Sequence, residues 1–181
     1  MRVWTIQTPD VLSTLHSGQI WRAHVSSIPQ DWLRAYDWMS GEMRTRLGQP
    51  ALTSQAPVWA WCQWRGTARP KPDLRARGHL RTGTRGVRIE LELGDERVLR
   101  SDFELWHYVL NGWYLPSSLA DERRFDERPD RRRIAPSWQR VFKLDWRNRR
   151  YTAATGARSI QCVIWELRPD DVRDATLFTA R

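Results

Sequence analysis

Two stretches decide the fold class: "VRIELEL" (Val87–Leu93) and, just beyond it, "SDFELWHYVLNGWYL" (Ser101–Leu115). In the first, Val87, Ile89, Leu91 and Leu93 alternate with Arg88, Glu90 and Glu92. That is the period of a strand with one apolar face, and it sends Glu90 and Glu92 toward solvent. In the second the period changes. Ser101 and Glu104 have the S-x-x-E spacing of a capping box, which predicts a helix from about Asp102 to Asn111, stopped at Gly112.

The same two patterns recur outward along the chain. Toward the N-terminus, "RVWTIQ" (Arg2–Gln7) alternates as a strand. "TPDVLSTLHSG" follows, with Thr8 to N-cap, Pro9 in the first turn and Gly18 to end it. A longer helix is predicted from Pro29 to Leu47, with Trp32, Tyr36, Met39, Met43 and Leu47 on one face. "APVWAWCQW" (Ala56–Trp64) is a strand with Trp59, Trp61 and Gln63 on one side. The other side carries Val58, Ala60, Cys62 and Trp64. An irregular loop rich in Gly, Pro and Arg then runs to Gly86, long enough to suggest a site or a mobile element. Toward the C-terminus, "SSLADERRFDERPDRRR" reads as a charged helix and connector. "APSWQRVFKLDW" is a short helix burying Trp138, Val141 and Phe142. "SIQCVIWEL" (Ser159–Leu167) and "VRDATLFTAR" are strands. Strands and helices without regular alternation define an α+β chain: one domain over residues 1–181, with a mixed or antiparallel sheet of about five strands flanked by helices.

Composition narrows the function classes. The formal net charge is +9, and Lys71 and Lys143 are the only lysines, so the positive charge is nearly all arginine. In "DERRFDERPDRRR" (Asp121–Arg133) arginines and acids interleave, as on solvated surfaces. An arginine-rich surface nevertheless leaves one alternative open, a non-enzymatic interaction or nucleic-acid-binding module. Two isolated cysteines and four scattered histidines show no metal-ligand spacing, so no metal is expected. No apolar run approaches the ~20 residues of a membrane span, and "MRVWTIQTPD" turns polar at once; the expected setting is cytoplasmic and reducing. The 12 tryptophans are spread along the chain, which makes core packing the commoner role for them.

Polar residues inside apolar elements are the candidate site. Asp102, His107 and Asn111 lie on the helix after Ser101, the last two four residues apart on one face. They could serve as a general acid/base with an orienting partner, which gives a second alternative, a hydrolase using His107. Gln161, between Ile160 and Cys162, is an unusual strand residue. A concave pocket is expected from Trp4, Gln7, Trp61, Arg75, Trp106, His107, Asn111 and Gln161.

"VWTIQTPDVLSTLHSGQI", "PVWAWCQW", "PDLR", "VRIELEL", "SDFELWHYVLNGWYL" and "SIQCVIWEL" together resemble an uncharacterised bacterial domain-of-unknown-function family, number 3841. The resemblance covers the chain apart from a variable charged segment near residues 117–135. In element order the chain also resembles ADP-ribosyltransferase-type domains. Those open with a strand carrying a polar NAD contact, followed by a short helix ending like "VLSTLHSG". They close with a strand opened by a catalytic glutamate and a hairpin to a final strand, the shape of "SIQCVIWELRPDDVRDATLF". This resemblance implies NAD as cofactor and a nucleic-acid or protein target. It puts Trp4, Gln7, Trp61, Arg75, Trp106, Asn111 and Gln161 at the cofactor. Two departures accompany it. Gln161 stands where the glutamate belongs, so the carboxylate must come from Glu166 or Asp102. Thr5 and Gln7 stand where a His or Arg is usual.

Overall fold

The computed structural model describes every residue from 1 to 181. Six strands form one sheet in the order β4-β5-β2-β1-β3-β6, and every adjacent pair is antiparallel. The strands are β1 (Arg2–Gln7), β2 (Val58–Gln63), β3 (Arg85–Glu92), β4 (Leu99–Asp102), β5 (Ile160–Ile164) and β6 (Val172–Thr179). The helices are α1 (Pro9–His16), α2 (Leu33–Leu47), α3 (Phe103–Leu110), α4 (Leu119–Glu127) and the single turn α5 (Ile134–Ser137).

The period-two pattern sorts side chains onto two buried faces. On one, Val3, Val58, Ala60, Val87, Ile89, Leu91, Cys162 and Ile164 pack against Val11 and Leu15 of α1. On the other, Leu99 and Val163 pack under Met39 and Met43 of α2, Leu105 and Val109 of α3, and Trp138. Helices cover this second face only over β4, β5 and β2. Over β1, β3 and β6 it is crossed by residues 64–84, an irregular strap. Lys71 Nζ reaches Glu90 (3.3 Å) and Asp174 (3.8 Å), and Arg88 donates to the Pro72 carbonyl (2.8 Å).

Several expectations change. The sheet has six strands, because four-residue β4 is too short to show a period. Ser101 therefore belongs to a strand, and the cap of α3 is Asp102, whose Oδ1 accepts from the N–H groups of Glu104 (2.9 Å) and Leu105 (3.2 Å). Thr8 makes no side-chain cap bond; α1 starts on Pro9, which has no N–H to satisfy. Trp32 is exposed, ahead of α2. Glu90 does not face solvent, because the strap covers it. Nor do the last two strands form a hairpin. β5 already has β4 and β2 on its two edges, so the chain crosses to the free edge of β3, and Leu167 pairs on the way with Trp21.

Candidate functional site

The sheet is joined unevenly at its centre. β1 pairs with β3 along its whole length, but it is in register with β2 only at Trp4↔Trp61. Beyond that pair the strands part, and the Thr5 hydroxyl spans the gap by donating to the Trp59 carbonyl (2.8 Å). Gln7 donates in turn to the Thr5 hydroxyl (2.7 Å). A cavity of about 270 Å³ opens there, lined by Ile6, Gln7, Trp21, Tyr36, Trp59 and their neighbours. Burial pushes the Tyr36 phenol upward in pKa, and the Trp59 indole partly offsets this.

At the joined end, one residue per strand forms a continuous row across the helix-and-strap face: Ser101, Gln161, Trp61, Trp4, Glu90 and Asp174. The row is aromatic in the middle, amide and hydroxyl at one end, acidic at the other. The Trp4 indole N–H donates to Glu90 (2.8 Å), and Phe103 packs on Trp61 with ring centroids 4.8 Å apart. Burial raises the Glu90 pKa, but Trp4, Lys71 and Arg2 outweigh it and hold the carboxylate below its ordinary value. At the other end, Gln161 Nε2 and Ser101 Oγ are buried without a hydrogen-bond partner. An orphaned buried polar group costs about 1–3 kcal/mol, so a neighbouring pair of them calls for a partner, whether an ordered water or a ligand atom.

The predicted site residues fall into separate groups. Trp4, Trp61 and Gln161 are brought together in the row. Gln7 lies at the gap, with its amide engaged by Thr5. Trp106 is buried beneath α3 against Trp59, ring centroids 4.7 Å apart. Arg75 is exposed on the strap and clamped by Asp73 (2.7 Å). His107 and Asn111 sit on the exposed side of α3. The His107 ring bonds the Phe103 carbonyl through Nδ1 (3.0 Å), and Asn111 bonds the His107 carbonyl (2.7 Å).

The two carboxylates expected to replace the missing glutamate are both occupied. Asp102 is fully buried; besides capping α3 it accepts from Thr152 (2.5 Å) and pairs with the buried Arg158 guanidinium (3.1 Å). Glu166 lies past the end of β5, held between Arg22 and Arg168, each at 2.7 Å. Burial pushes its pKa up, but the two arginines more than reverse this. It lines a different cavity, of about 290 Å³, with Arg97, Trp165 and Arg168. Sequence reasoning missed Ser101 as a row member, Tyr36 at the cavity and Glu90 beneath the strap. The one usable signal for Glu90 was "PKP" (Pro70–Pro72), a lone lysine fixed between two prolines.

The architecture defines an α+β domain with a centrally parted antiparallel sheet and an aromatic–amide row beside the parting. Residues 2–134 match the family described as domain of unknown function DUF3841, most of the chain, and the protein belongs to that family. No curated protein and no solved structure matches it.

Proposed function

We propose that the chain is a nucleotide-binding domain of ADP-ribosyltransferase type. It takes a nicotinamide or adenine nucleotide, with NAD the candidate cofactor, beside the parting of β1 and β2, and presents it to a nucleic-acid or protein target by binding and orientation. The observation that carries this reading is the unpartnered Gln161 amide and Ser101 hydroxyl, buried in the same row as two tryptophans. A heteroaromatic ring bearing a carboxamide or amino group meets that set: indoles for its faces, Gln161 and Ser101 for its polar edge. The cavity at the parting is lined by Gln7, Tyr36 and Trp59 rather than by the row's own residues, and its volume of about 270 Å³ sits just below the ~300 Å³ at which ligand pockets usually begin, so a ligand seated there has to extend past Trp59 to reach the Gln161 amide. That room suits one ring with its sugar rather than a whole dinucleotide, so the remainder must lie along the surface.

NAD supplies a nicotinamide–ribose bond whose cleavage develops positive charge, and stabilising that charge calls for a carboxylate. Gln161 can position and hydrogen-bond but brings no charge. Asp102 and Glu166 are already paired with arginines. The chain's own residues therefore favour binding and orientation over group transfer. A hydrolase built on His107 has less support, since the ring's hydrogen bond goes to a backbone carbonyl and no nucleophile is in contact with it.

The test is thermal denaturation with NAD, ADP-ribose, nicotinamide and AMP at millimolar concentration. A ligand at 100-fold its Kd stabilises by about 2.7 kcal/mol, a rise of roughly 5–10 °C for a chain of this size. Gln161→Ala is expected to reduce the rise. No shift with any of the four overturns the proposal.

A further inference from the structure

The positive charge is concentrated in two segments. Residues 64–86 hold six arginines, one lysine and a single acid, Asp73. Residues 146–158 hold four arginines and no acid. That leaves 19 basic and 20 acidic residues for the rest of the chain, which is therefore close to neutral. The mixed run at Asp121–Arg133 contributes little to the excess.

The fold joins the two segments where the strap begins and the 146–158 loop ends. The Thr67 N–H donates to the Gly156 carbonyl (3.0 Å). Gly66, at φ +76°, lies so close to the Gly156 carbonyl and the Ala157 backbone that no side chain fits there. All six strap arginines are exposed, as are Arg147 and Arg149. Arg69, Arg77, Arg147 and Arg149 have no acidic partner, whereas Arg75 is paired with Asp73 and Arg158 with Asp102. A cavity of about 200 Å³ between Arg147, Arg149 and Thr155 has no acid in its lining. Holding this many like charges together is unfavourable for the free protein, and a polyanion relieves it.

The structure assigns this two-loop strip, we infer, to the phosphate backbone of a nucleic acid, gripped by charge rather than by base sequence. Guanidinium suits phosphate because it can donate two parallel hydrogen bonds. An anionic membrane fits less well. The exposed large apolar side chains, Trp32, Leu33, Trp113 and Leu177 among them, all lie outside the two segments, so the strip has no apolar anchor to insert. The inference stands on the distribution of charge and does not depend on a nucleotide at the β1–β2 parting.

The experiment measures anisotropy of labelled random-sequence 20-nucleotide RNA, single-stranded DNA and duplex DNA with the full chain between 50 and 300 mM KCl. Binding is expected to weaken with salt, by about 0.7 in log K per log [salt] for each phosphate contacted in a single strand and about 0.9 in a duplex. Replacing Arg69, Arg77, Arg147 and Arg149 together by Gln removes no ion pair. It should flatten the slope by about 3 and weaken binding across all sequences. Replacing Arg123, Arg124 and Arg128 on and after α4 should leave the slope in place. Should the quadruple variant lose its native melting transition, the doubles Arg69→Gln/Arg77→Gln and Arg147→Gln/Arg149→Gln carry the test, each flattening the slope by about half as much. No binding at 50 mM salt, an unchanged slope in the strip variants, or equal binding to phosphatidylserine vesicles overturns the inference.

Discussion

Replacing Arg158 by Met tests whether Asp102 is a structural carboxylate. Arg158 is 1% exposed and Asp102 fully buried, so the pair sits where water cannot take over either charge. The guanidinium also donates to the carbonyls of Leu144, Trp146 (2.6 Å) and Ala153 (3.2 Å), tying the 144–153 loop to the start of α3. Met fills similar volume but leaves the carboxylate unpaired and three carbonyls short of a donor. Breaking one partner of a buried pair costs about 3–5 kcal/mol, a fall in Tm of roughly 6–20 °C at this chain length. The diagnostic step is to add Asp102→Asn. Asn still caps a helix but carries no charge, so Arg158→Met/Asp102→Asn is expected to melt above Arg158→Met alone, a recovery that independent sites would not show. Urea denaturation of the native chain, both single variants and the double supplies the cycle. A loss below ~1 kcal/mol for Arg158→Met, or no recovery in the double, refutes the structural role.

Three further outcomes follow. Asp121 is buried, which raises its pKa, yet bonds from the Ser117 N–H and hydroxyl, Tyr114 and Arg133 hold it at about 2. A depressed carboxylate stabilises the fold above the unfolded value near 3.8, and the contribution, ~2.5 kcal/mol, disappears as pH falls through about 2. The stability gap between the native chain and Asp121→Asn should therefore narrow between pH 5 and pH 2.5 in urea titrations, and a constant gap would contradict the assignment. Gly66→Ala strains a left-handed backbone and collides with the Gly156 carbonyl; it should cost about 1–3 kcal/mol in urea melts and weaken nucleic-acid binding by separating the two basic loops. Gln161→Met should leave stability unchanged or raise it by about 1 kcal/mol while abolishing any nucleotide-induced shift in Tm, and a clear loss of stability would mean that the amide has an internal partner.

What the sequence disclosed is what periodicity encodes. Alternation located β1, β2, β3, β5 and β6, and it placed Trp59 and Trp61 on one face of β2; the period does not carry on to Gln63, because the register with β5 shifts between Trp61 and Gln63. Helix stops were legible at Gly18, Gly48 and Gly112, each of which takes positive φ. Four residues of β4 carry no period, and the two strands flanking them in sequence gave no reason to expect it. Strand order was hidden for a different reason. Ser101, Gln161, Trp61, Trp4 and Glu90 become neighbours only through pairings between distant segments, and no local pattern states which strand lies beside which. The same blindness affected the carboxylates. Asp102 reads as a free acid in sequence because its partner Arg158 lies far along the chain; Glu166 has one distant partner, Arg22, and one only two residues away, Arg168.

The buried polar groups differ in how they are satisfied, and the proposed site rests on that difference. Asp102, Asp121, Glu90 and Glu166 each receive several donors or cations, and Arg97 is clasped by both oxygens of Asp171 at 2.7 Å. These charges are paired, although Nε of Arg22 and Nε of Arg158 are left without a hydrogen bond, as is the Trp59 indole N–H at the cavity. Gln161 and Ser101 are different: they are neutral, adjacent across β4 and β5, and unbonded at the atoms that could donate. Together they cost roughly 2–6 kcal/mol if nothing meets them, against a typical total stability of 5–15 kcal/mol. An apolar residue at position 161 would remove much of that cost, since β5 is otherwise Ile160, Cys162, Val163 and Ile164. On the proposed reading, the amide at this one position, one strand from Trp61 and two from Trp4, is where stability and ligand binding make opposite demands on the same side chain.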